Sequence, residues 1–147
     1  MQNFQEFLEN SLQQNIKKLV PLTGGASADI NRIILENNNE LIVRRSLSKE
    51  QSVMAVPKKL EAKIQRIVRS NDAPVPEIIF EFSENEDIGE GYVMEAIPGE
   101  TIPRKILRDD KYKNVRSKLS FEIGRSLATI HQTKLDELTD LDSVTFE

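Results

Sequence analysis

The hydrophobic residues of this chain change their spacing twice between residues 30 and 96, and those changes limit the folds open to it. Ile30 to Leu35 and Glu40 to Arg45 are rich in β-branched residues. Asn37-Asn38-Asn39 lies between them and adopts left-handed turn geometry at low cost, so the pair reads as a β-hairpin. From Pro57 to Arg69 the period lengthens. Leu60, Ile64, Ile67 and Val68 fall at i, i+4, i+7 and i+8, one face of a helix, with Pro57 in its first turn. Asn71 to Pro76 then breaks the pattern, because the prolines hold Ala73 and Val75 extended. A strand over Glu77 to Phe82 follows, an acidic turn over Ser83 to Glu90, and a second strand over Tyr92 to Ala96 that stops at Pro98-Gly99.

The ends of the chain read as helical. Phe4, Phe7, Leu8, Leu12, Ile16 and Leu19 recur at helical spacing, with Asn3 and Glu6 placed as a capping pair. This predicts one amphipathic helix over residues 1–18, after which Pro21 and Gly24-Gly25 open strand territory. Helical patterning resumes over Pro103 to Arg108 and again through Val115, Leu119, Ile123, Leu127 and Ile130, ending near Lys134. The order is α-β-β-α-β-β-α-α. Strands come first and helices afterwards, which is the mark of an α+β fold with an antiparallel sheet.

Composition removes several functions. A chain of 147 residues with 38% hydrophobic and 30% charged residues has room for one cored domain and is not disordered in bulk. The absence of cysteine excludes disulfides and thiolate chemistry, and one histidine is too few for a zinc site. A formal net charge of −4 with 5% aromatics does not suit a nucleic-acid binder. No apolar run has the length of a membrane span, and Met1 to Phe7 lacks a basic and then apolar leader, so a cytoplasmic protein is expected.

Charge is unevenly distributed. Arg44 to Arg69 holds eight Lys or Arg against Glu50 and Glu61, and Glu77 to Glu90 holds six acids and no base. Such a contrast marks either an anion site or a solvated surface. Gly24-Gly25-Ala26-Ser27 could turn backbone N–H groups toward a phosphate, or be an ordinary turn between strands; it is neither a Walker A motif nor a dinucleotide fingerprint. Strand alternation puts Ile42 and Arg44 on one face, and Val43 and Arg45 on the other. Glu61 borders the apolar face of its helix. Its partner is either Arg44 across the fold or Lys58 within the helix.

In their order these segments resemble the aminoglycoside phosphotransferase and choline kinase-like superfamily, which has a protein-kinase-like fold. The resemblance runs from about Leu19 to Lys134. It rests on Leu60-Glu61-Ala62, on Ala73-Pro74-Val75-Pro76, on Tyr92-Val93-Met94-Glu95 with Pro98-Gly99-Glu100, and on Leu127-Ala128-Thr129-Ile130-His131. It implies an antiparallel nucleotide-binding lobe over residues 19–97, and a hinge with the first helices of a C-terminal lobe over 98–147. It also implies that ATP is the cofactor. Gly24, Gly25 and Ser27 would cover the phosphates, and Arg44 would stand in for the usual strand lysine beside Ile42, oriented by Glu61. Met94 would lie behind the adenine, with backbone groups of Glu95 and Ile97 at its edge.

The sequence departs from that family at three points. Its glycine turn is shorter of glycines than the protein-kinase loop. Arginine at position 44 keeps the charge of lysine but not its shape. The family's His-Gly-Asp catalytic loop and later metal-binding Asp are absent, since the only histidine, His131, is followed by Gln132-Thr133. His131 therefore reads as a helix-end residue, and no catalytic or metal-ligating residue is assigned; Mg²⁺ is expected only with the C-terminal lobe, most of which is missing. The chain is expected to be an inactive, truncated phosphotransferase fragment that binds nucleotide. Its small-molecule acceptor is unidentified, and exposed apolar surface on the Val115 to Ile130 helix would invite association. The alternative is a stand-alone, non-catalytic nucleotide-binding or regulatory module.

Overall fold

The computed structural model describes residues 3–22, 29–47, 56–83 and 87–134. Its elements divide between two compact units, one built from Met1–Arg66 and Pro76–Pro98, the other from Ile67–Val75 and Gly99–Glu147. The first is a sheet with a helix on each face. The second is helical.

Helix α1 (Phe4–Leu12) starts where the Asn3 side chain accepts a hydrogen bond from the Gln5 N–H, and stops at Gln13, which is left-handed at φ 53°. Strand β1 follows as Ile16–Pro21. The helix expected over residues 1–18 is therefore six residues shorter at its C-terminal end, and a strand precedes the hairpin. Two local bonds make the switch: Gln14 N–H reaches Glu9 O, and Ile16 N–H reaches the Glu9 carboxylate at 3.0 Å. From Ile16 onward the backbone pairs with a neighbouring strand, an option the periodicity did not reveal.

Strands β2 (Asp29–Leu35) and β3 (Glu40–Ser46) form the expected hairpin, turning where Asn38 takes φ 63°. Strands β4 (Ile78–Ser83) and β5 (Glu90–Glu95) complete a fully antiparallel sheet in the order β1-β2-β3-β5-β4. Helix α2 (Lys58–Ser70) connects β3 to β4. The α+β antiparallel expectation holds.

Each face of the sheet has its own core. On one, α1 places Leu8 against Ile33, Leu35, Val43, Phe82 and Val93, with Phe4 and Phe7 packed around them. On the other, Ala62 of α2 meets Ile78 and Tyr92, with Met94 beside them. A register shift between Ile78 and Phe80 lets β4 serve both faces, since it turns residues of equal parity to opposite sides. Gly91 sits where the sheet is tightest. A Cβ there would lie 2.5 Å from both the Arg44 carbonyl oxygen and the Phe82 ring.

In the helical unit, α3 (Pro103–Arg108) begins with proline in its first turn, as expected. A 3₁₀ turn (Asp110–Tyr112) leads into α4 (Lys113–His131). Arg116 ties these pieces together by donating to the carbonyls of Ile106 and Asp109 at 3.0 and 2.9 Å. No residue of α4 is buried, and Val115, Phe121, Ile123, Leu127 and Ile130 are exposed along it. Among the described residues no helix is long and apolar enough to cross a membrane.

Candidate functional site

Strand register assembles the site. In the β3–β5 ladder Arg44 stands opposite Tyr92, and Ile42 opposite Met94. Alternation sends all four to the face covered by α2. The helix comes close because its contact residue is Ala62, which is fully buried and adds only a methyl group. Glu61 follows it down onto the sheet. Arg44 Nε donates to Glu61 Oε2 at 2.9 Å, and Lys58 Nζ donates to Glu61 Oε1 at 2.6 Å. Both partners considered for Glu61 are therefore engaged at once, one by each oxygen. The Tyr92 hydroxyl adds a third contact, 3.2 Å from Oε2.

The cluster is half-dry, which sets its electrostatics. Burial pushes the Glu61 carboxyl up, but the hydrogen bonds from Arg44 and Lys58 outweigh it and hold the group below its ordinary value. Glu61 in turn raises the Arg44 guanidinium against the desolvation that lowers it. Burial, then the Glu61 charge, push the Tyr92 hydroxyl up to about 12, so it stays a neutral donor. Arg44 is bonded through Nε alone, and among the described residues nothing bonds Nη1 or Nη2. The Arg44 side chain is 26% exposed.

Toward the end of β5 the face becomes apolar. Met94 Sδ lies 3.8 Å from Gln65 Nε2, which also donates to the Pro76 carbonyl at 2.7 Å, tying α2 to the segment before β4. The Glu95 N–H donates to the Glu77 carbonyl at 2.9 Å. Ile97 lies just beyond the strand and is exposed. Ile42, Arg44, Glu61 and Met94 are thus gathered on one face, with Glu95 and Ile97 at its end. Gly24, Gly25 and Ser27 lie outside the described residues. Among the described residues no three His, Cys, Asp or Glu side chains gather as a metal site.

A sequence model of the phosphotransferase enzyme family matches residues 18–145. The chain belongs to that family. Its five-stranded antiparallel sheet and flanking helices are those of the N-terminal lobe of a kinase-like fold, and the pairing of a β3 cation with an α2 carboxylate lies within the matched residues of this phosphotransferase-family chain. No curated protein sequence matches it.

Sequence reasoning undervalued two members of the cluster. Lys58 stood only as an alternative partner for Glu61, although its i, i+3 spacing put it within reach. Tyr92 figures in the sequence as a strand residue and as the first of the Tyr92-Val93-Met94-Glu95 motif, without a partner assigned. Its parity with Met94, two residues on, places both on the α2 face.

Proposed function

We propose that this phosphotransferase-family chain binds ATP on the α2 face of its sheet, with Arg44 gripping the phosphates and Met94, Glu95 and Ile97 bordering the adenine. The observation that carries the reading is the Arg44–Glu61 pair at 2.9 Å, which fixes a guanidinium by one nitrogen while its side chain stays 26% exposed. Ile42 stands beside Arg44 on that face, and Gly24, Gly25 and Ser27 belong to the proposed phosphate cover. Bound ATP would supply the phosphoryl group. The chain's own residues would orient it and screen its charge.

Phosphoryl transfer also needs a base for the acceptor hydroxyl and carboxylates for the metal, and residues 1–147 contain no His-Gly-Asp sequence. The 147 residues by themselves are therefore proposed to bind nucleotide without transferring phosphate. Isothermal titration of ATP into the chain, with and without Mg²⁺, tests the binding. Saturable heat that falls at least about tenfold in affinity in Arg44→Ala supports it. No heat with the folded chain rejects it. Hydrolysis or transfer by these residues alone would reject the second part.

A further inference from the structure

A carboxylate that orients a phosphate-binding cation has an electrostatic drawback. Arg44 and Glu61 form a pair of zero net charge, so the contact that positions the guanidinium also weakens its pull on an anion. The structure carries a compensating charge. Lys58 lies one turn before Glu61 on α2, with its side chain only 5% exposed and its ammonium 2.6 Å from Glu61 Oε1. Its other described contact is the Val56 carbonyl at 3.4 Å. Glu90, the further carboxylate at this end of the helix, accepts the Lys58 backbone N–H at 3.0 Å, where the positive end of α2 favours a negative group.

Burying an ammonium is costly, and Glu61 already has a guanidinium and a hydroxyl to satisfy it. Both of those reach Oε2, and Lys58 is the donor to Oε1. It also changes the sum. Arg44, Glu61 and Lys58 together carry one positive charge in a half-dry setting, with the Glu90 carboxylate beside it at the helix end.

We infer that Lys58 is a positioning residue that neutralises Glu61 through Oε1, leaving the charge of Arg44 available to the phosphates of a nucleoside triphosphate. This rests on the nucleotide reading of the site and adds which residue supplies its net charge. Lys58 itself does not touch the ligand, being buried beneath Glu61.

The test is a comparison of ATP and adenosine binding to the full 147-residue chain and to its Lys58→Met variant. Folding is checked by circular dichroism, and titrations are run at several salt concentrations. Loss of one unit charge acting across roughly 10 Å should weaken ATP about tenfold while leaving adenosine within about twofold. The salt dependence of ATP binding should become shallower. If Lys58→Met does not fold, Lys58→Gln keeps a hydrogen-bond donor to Glu61 without the charge and should show the same split. ATP affinity unchanged in a folded variant, or ATP and adenosine weakened in parallel, would overturn the inference and leave the nucleotide site standing. A wild-type chain that binds neither ligand rejects the site, and this role with it.

Discussion

Removing Glu61 probes the charged cluster most directly, because three donors converge on it. Glu61→Leu deletes the contacts with Arg44 at 2.9 Å, Lys58 at 2.6 Å and Tyr92 at 3.2 Å. The three losses are unequal. Lys58, 5% exposed, would keep only the Val56 carbonyl among the described residues, and stranding a buried charge costs about 3–5 kcal/mol. Arg44 is 26% exposed and can turn to water, so its loss adds little. Because Glu61 is itself 23% exposed, the lower end applies, and Glu61→Leu should cost about 3 kcal/mol. Lys58→Met leaves Glu61 with Arg44 and Tyr92 and should cost about 1–2 kcal/mol. The double variant has no stranded ammonium. It should cost about 2 kcal/mol, well short of the sum of the single losses, a coupling of about 2 kcal/mol. Urea unfolding followed by circular dichroism, with slopes that stay constant among the variants, measures all three. Additive losses, or a Glu61→Leu cost below about 1 kcal/mol, would refute the argument that Glu61 holds a buried ammonium in place.

Gly91→Ala should destabilise the sheet by about 1–3 kcal/mol and lower the thermal midpoint, since its methyl group meets the Arg44 backbone oxygen and the Phe82 ring at 2.5 Å; an unchanged midpoint would contradict that close approach. Glu61 ionises more readily in the fold than its ordinary value of 4.5, so the stability it contributes is fully present above pH 4.5 and fades as pH falls through the lower folded value. Glu61→Gln should flatten that part of the acid unfolding profile. Tyr92 moves the other way: its contribution is complete below pH 10 and is lost as pH rises toward about 12. Ultraviolet titration of tyrosinate in a Tyr112→Phe background reads that directly, and a Tyr92 titrating at its ordinary value of 10.0 would refute its burial beside Glu61.

The parts of the fold that were legible in the sequence are those where one signal had no competitor. The β2–β3 hairpin follows from β-branched runs around three asparagines, and α3 begins at Pro103 as its sequence indicates. Strand β1 was hidden because Ile16 and Leu19 continue the spacing of Leu8 and Leu12. The same residues serve a helix or a strand, and only the left-handed Gln13 and the pairing with β2 decide between them. Helix α2 is displaced in a similar way. Leu60 and Ile64 of its apolar stripe stay half-buried, while Ile67 of that stripe is buried together with Ala62 and Lys58, which the stripe does not include. A hydropathy pattern scores Lys58 and Glu61 as polar, because it cannot see that each removes the burial cost of the other. The Arg44–Glu61 pair was foreseeable from Glu61 lying at the edge of the stripe, whereas Tyr92 required the β3–β5 register.

That register also explains how two consecutive arginines come to do different work. Arg44 and Arg45 are adjacent in sequence, but the period of two in a strand turns them to opposite faces. Arg45 faces α1, where its guanidinium lies 3.7 Å from the centre of the Phe4 ring and its Nε is 2.7 Å from Asp29. Its side chain is 14% exposed, and the ring and carboxylate together anchor the N-terminal helix to the sheet. Arg44 faces α2 and keeps two nitrogens unbonded among the described residues. The contrast lies in how each cation is satisfied. One is enclosed by groups of its own fold and contributes to holding that fold together; the other is held at a single nitrogen, with its opposing charge balanced by Lys58. A slip of one residue in β3 would send Arg45 toward Glu61 and bury Arg44 against Phe4, so the pairing of Val43 with Val93, both fully buried, protects the site as much as it does the core.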